Sequence, residues 1–168
     1  MIRMLCLFIG ILPGFALADD AEDLIDVLTE ACVVPLQNEA VMAQGLDVAS
    51  EAMATQLLNG KDATLWRHPN PKLVVVVHNS GNTCEIMGLG IDMAGAATAI
   101  RDWAGDAQYT FAPGENMDLP AGGGAYLVRA VEDGYVQIFV HVDTPRGFLG
   151  ITAGRVADSA QAREVLGE

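Results

Sequence analysis

Two cysteines, Cys32 and Cys84, constrain this chain more than any other pair of side chains, because a bond between them would fix a segment near its start against one in its middle. The case for that bond begins at the leader. Arg3 gives a positive start, Leu5 to Leu12 form an uncharged apolar run, and Ala16-Leu17-Ala18 make a small-residue cleavage site before Asp19-Asp20. Residues 1–18 therefore read as a signal peptide that is cleaved, taking Cys6 with it. The run is too short for a transmembrane anchor, so the expected product is periplasmic or secreted, with no membrane insertion after cleavage. In such an oxidising compartment two cysteines are expected to pair. A Cys32–Cys84 bridge closes a loop of about 50 residues, worth on the order of 4 kcal/mol in the chain-entropy picture. A redox pair would ask for a Cys-x-x-Cys setting, and these two are far apart.

Residues 19–168 make one globular domain of ordinary size, and a 51% hydrophobic composition is enough to fill its core. The formal charge of −13 becomes −14 without Arg3, and Lys61 and Lys72 are the whole lysine complement. A surface that tracks phosphates needs clustered Lys and Arg, which this chain lacks, so nucleic acid is excluded as a partner. The acidic balance reads first as solubility alone, with steering of a basic protein partner as the alternative.

Along the chain, Asp19 or Asp20 caps a first helix that runs to about Ala31 and stops at Pro35. Met42, Leu46, Ala49, Met53 and Leu57 form a stripe that predicts a second helix from about Asn38 or Glu39 to Asn59. Two prolines, Pro69 and Pro71, make residues 61 to 72 a loop. The β-branched run Leu73 to Val77, turn chemistry at 78–82 and the return Thr83 to Leu89 predict a hairpin. Cys84 and Ile86 share one face of the return strand, so Cys32 at the end of the first helix can reach Cys84. Asp92 caps a helix from Met93 to about Ala104. A meander follows over Gln108 to Ala112, Ala125 to Val131, Tyr135 to Asp143 and Phe148 to Arg155, and Asp158 to Leu166 adds a terminal helix.

The expected fold is α+β: two N-terminal helices, then a largely antiparallel sheet of five or six strands with a helix inserted after the second strand. In its order of elements this resembles profilin-like and roadblock-like domains, a likeness of topology that carries no function. The chain as a whole resembles small exported proteins of Gram-negative bacteria.

Motifs that would carry chemistry are weak, and no cofactor is expected. Gly88-x-Gly90 lacks the third glycine of a dinucleotide turn, since Met93 stands in its place, and Asp92 adds negative charge there. Gly122-Gly123-Gly124 reads as a connection into the next strand. Ser80 near His78 sits in a turn and no Gly-x-Ser-x-Gly elbow occurs. His141 and Asp143, two apart on a strand, face the same way and suit two ligands of one metal, with His78 or His68 as a third. Trp66, Arg67 and His68, held extended by the prolines that follow, are the candidate partner-binding residues. The function expected is an exported binding or interaction protein, inhibitor-like or immunity-like, meeting a protein partner or small ligand in the bacterial envelope. The alternative is a small exported hydrolase or metal-dependent enzyme using His78, His141 and Asp143.

Overall fold

The computed structural model describes residues 20–38, 40–113, 123–143 and 147–168. The leader and part of the 144–147 turn lie outside these residues. One antiparallel sheet of eight strands organises them, with the order β1-β2-β3-β4-β8-β7-β6-β5. The strands are β1 (Asp47–Val48), β2 (Ala63–Arg67), β3 (Leu73–His78), β4 (Thr83–Leu89), β5 (Thr110–Phe111), β6 (Gly123–Val131), β7 (Gly134–Asp143) and β8 (Phe148–Val156). Four helical stretches flank the sheet. Helix α1 is a continuous run of Asp20–Asp26, a π-helical segment Val27–Val33 and Val34–Asn38, while α2 is Glu51–Leu58, α3 is Met93–Asp106 and α4 is Ala160–Leu166.

This corrects the expected fold in three places. The sheet has eight strands, not five or six, because β1 and β2 form where a helix and a loop are predicted. The helix over 38–59 is not formed as one piece, because Ala43 (φ 55°) and Gly45 (φ 87°) turn the backbone left-handed and break it. Only Glu51–Leu58 is helical; Ser50 caps it by accepting from Met53 N, and Asn59 ends it in the left-handed region. Finally, α1 runs through Pro35 instead of stopping there. The Ala31 carbonyl, which an amide at position 35 would have taken, accepts from Ala43 N at 3.0 Å, so the missing N–H leaves no orphan. With a helix between the first two strands and four strands on each side of α3, the profilin-like and roadblock-like order does not describe the chain.

Alternation sorts the strands into two faces. On the inner face Val75, Ile86, Ile138, Val140 and Ile151 pack with Leu24, Leu28 and Ile100 of α1 and α3 in one continuous core. Each such side chain, fully withdrawn from water, contributes about 1.5–3 kcal/mol. Cys32 in the π-helical segment and Cys84 in β4 have Cα atoms 5.5 Å apart and form a disulfide that joins α1 to the centre of the sheet. The other end of α1 is held by the loop after β2, where Asn70 Nδ2 donates to Asp20 (3.1 Å) and Asp23 (2.8 Å) and Lys72 pairs with Asp20. On the outer face α2 covers Leu65 and Val76, and α4 covers Tyr126 and Val128.

The sheet is built from two like halves. Residues 65 positions apart, such as Val75 and Val140 or Ile86 and Ile151, hold equivalent places in the hairpins β3–β4 and β7–β8. Where the halves meet, Ile86 pairs with its own counterpart Ile151, so the β4–β8 seam lies on an approximate two-fold axis through the sheet.

Candidate functional site

On the outer face the α2 cluster reaches from β2 and β3 onto Met87 of β4, the α4 cluster reaches from β6 onto Tyr135 of β7, and among the described residues no helix packs on β8 between them. A sheet face open to water ordinarily alternates polar side chains outward. Here the outward positions of β8 are Phe148, Gly150, Thr152 and Gly154, and those of β7 include Phe139. Phe139 is 45% exposed and Leu89, outward at the end of β4, is 54% exposed. The Phe139 ring stacks on Tyr126 with centroids 4.6 Å apart, which fixes it over the strand while leaving its other side open. Gly150 gives the Phe148 ring a place to lie, since a Cβ there would stand 3.2 Å from it. The result is an apolar strip floored by glycine and threonine and walled by two helices.

In a chain with 22 acids, the outward positions of the central strand β8 carry no charge. Among the outward residues of 83–89, 135–141 and 148–156 the one acid is Glu85, and it is occupied. Lys61 Nζ lies 2.8 Å from one carboxylate oxygen and His78 Nε2 lies 2.7 Å from the other. Burial works to raise the Glu85 pKa, but hydrogen bonds from Lys61 and His78 outweigh it and hold the carboxyl below its ordinary value. An ionised carboxylate only accepts, so the proton in the short contact sits on His78 Nε2.

Two cavities lie at the end of the sheet where α1 gives way to the 40–46 segment. The larger, about 580 Å³, is lined by Leu36, Asn82, Asp133 and Arg155, and the Arg155 guanidinium donates to the carbonyls of Leu36 (3.4 Å) and Glu132 (3.0 Å). The smaller, about 290 Å³, is lined in part by Val41, Met42, Trp66 and His78.

The residues singled out in the sequence are dispersed. Trp66 is half-buried and turned to the inner face, against the core, with its Nε1 enclosed and without a partner among the described residues. Arg67 turns to the opposite side and pairs with Asp47 at 3.7 Å, while His68 Nδ1 accepts from Asn70 N. The three make no single patch. His78 on β3 and His141 on β7 have β4 and β8 between them, and Asp143 lies at the end of β7, its backbone paired with Phe148. No group of three or more His, Cys, Asp or Glu among the described residues is placed to hold a metal ion. Gly88 pairs with Leu73 and Leu149 within the sheet, and Gly90 follows at φ 67°, a turn out of the strand. Gly123 and Gly124 open β6.

The sequence marks Phe139, Phe148 and Leu89 only as members of strands. The available signal was negative: β8 alternates Leu149, Ile151 and Ala153 with residues that carry no charge at all. No helix among the described residues is long and apolar enough to cross a membrane. Comparison of the chain with protein-family models, with curated proteins and with solved structures gives no match.

Proposed function

We propose that this is an exported binding protein of the bacterial envelope, periplasmic or secreted, that meets a protein partner through the open strip on β4, β8 and β7 and acts on it in an inhibitor-like or immunity-like way. The observation that carries this reading is the exposure of Phe139 and Leu89 on either side of a central strand, β8, that turns no charged residue outward in an acidic chain. Exposed apolar area grouped between polar surroundings marks contact sites, whereas scattered exposed residues need no explanation. The Cys32–Cys84 disulfide suits an oxidising compartment and the leader pattern suits export. The test is capture from an envelope extract with wild type, Phe139→Ser and Trp66→Ala. A partner recovered by wild type and by Trp66→Ala but lost with Phe139→Ser is the expected result. Equal recovery by Phe139→Ser, with its melting temperature unchanged, overturns the assignment of the strip.

A further inference from the structure

Resting on that reading, we infer that the occupant of the strip is a basic amphipathic α-helix of a partner protein, lying in the outer layer between α2 and α4. Strand addition is ruled out at this place, because β4, β8 and β7 each have a hydrogen-bonded neighbour on both sides and offer no free edge. Recognition there runs through side chains alone. Between Met87, which packs with the α2 cluster, and Tyr135, which packs with the α4 cluster, the open face is β8 with the neighbouring parts of β4 and β7, so one helix of about 10–12 Å diameter is the most it admits. The walls are themselves helices seated on the same face, so a third helix completes the layer. Phe139, Phe148 and Leu89 supply the apolar contacts that a helical stripe of anchors fills.

Charge decides between a partner and a second copy of this chain. Nine basic residues face 22 acids, and the flanking helices carry exposed Glu51 and Glu164. A second copy brings the same excess of negative charge to the contact, while a helix rich in Lys or Arg on its solvent side meets the opposite sign.

The probe is a synthetic amphipathic peptide of about fourteen Leu and Lys residues, long enough to span four turns. Two controls accompany it: a Leu/Glu peptide of the same pattern, and a Leu/Lys peptide of the same composition with the pattern scrambled. Binding is followed by fluorescence anisotropy to protein exported from the full-length sequence, and to Phe139→Ser and Leu89→Ser whose melting temperatures are checked. The patterned Leu/Lys peptide is expected to bind about tenfold or more tighter than either control, and each substitution is expected to weaken it about tenfold. Binding that survives both substitutions places the peptide elsewhere on the acidic surface and overturns the inference. Equal binding of the Leu/Glu peptide, abolished by Phe139→Ser, overturns the basic partner while leaving the strip a docking face. Self-association in sedimentation that Phe139→Ser abolishes assigns the strip to a second copy, and this too overturns it. If no peptide binds while envelope capture still depends on Phe139, the helix is wrong and the partner face stands; if capture is also indifferent to Phe139, both fall.

Discussion

Tyr109 shows how one side chain at the rim of the core makes stability depend on pH. Its hydroxyl takes a hydrogen bond from Gln37 at 3.3 Å and its ring stacks on Trp103 with centroids 5.1 Å apart. Burial pushes its pKa up to about 12, against which the Gln37 hydrogen bond works. In the unfolded chain the phenol ionises near 10, so above that pH the unfolded state has released a proton that the folded state still holds. The stabilisation from the neutral buried phenol is complete below pH 10 and is lost as pH rises to about 12. Tyr109→Phe should therefore flatten the alkaline limb of stability against pH between these values, as measured by urea unfolding, with little change near neutrality beyond the lost hydrogen bond. Single residues with local duties were the legible part of this sequence. Asp92 announces a helix start because its carboxylate accepts from Ala94 N within one turn, and α1 begins at Asp20, where acids crowd the first turn, while Asp19 lies outside the described residues. Ala43 was illegible, since a left-handed non-glycine residue leaves no mark in composition or spacing.

Among the elements, the hairpin β3–β4 could be read because a β-branched run, a polar turn and a return of matching length are signals confined to one stretch of chain. Strand β2 could not. Its five residues precede two prolines that dominate any reading of the segment, and its pairing with β3 is settled by the covering helix α2, which rests on Leu65. The stripe over 42–57 satisfied a helical period by coincidence: Met42 and Leu46 serve the inner core, Ala49 the outer cluster, and Met53 and Leu57 stay exposed. The outer strip escaped notice for a related reason, since an aromatic residue at strand spacing looks the same whether a helix covers it or not. The disulfide is the element-level device with the clearest consequence. It holds the π-helical segment of α1 to β4, and replacing both Cys32 and Cys84 by Ala should cost about 4 kcal/mol in urea unfolding. Amide exchange should quicken first in 27–38, where α1 loses its covalent hold; uniform quickening across the sheet would show that the bond stabilises the whole and not the helix.

For the whole molecule, the question is whether two like halves behave as one unit. The β4–β8 seam pairs seven residues on each strand, and the inner core runs unbroken from α1 to α3 across it. One cooperative transition is the expected result. The chain supplies its own reporters, since Trp66 lies in the first half and Trp103 in the second. Single-tryptophan variants Trp66→Phe and Trp103→Phe should each show fluorescence and circular dichroism midpoints that coincide in urea; separated midpoints within either variant would mean that the seam does not couple the halves. The likeness of the halves was not read from the sequence, because it lies in scattered inward positions, identical at Val75 and Val140, Val77 and Val142, and Ile86 and Ile151, with the outward residues between them differing. The seam also sets an order of events. Its second strand, β8, follows the other seven described strands in chain order, so the side of β4 that β8 covers stays unpaired until residues 148–156 have been made. A half-made chain therefore carries an unpaired inner strand edge, and correct closure of the sheet hangs on the arrival of its latest strand.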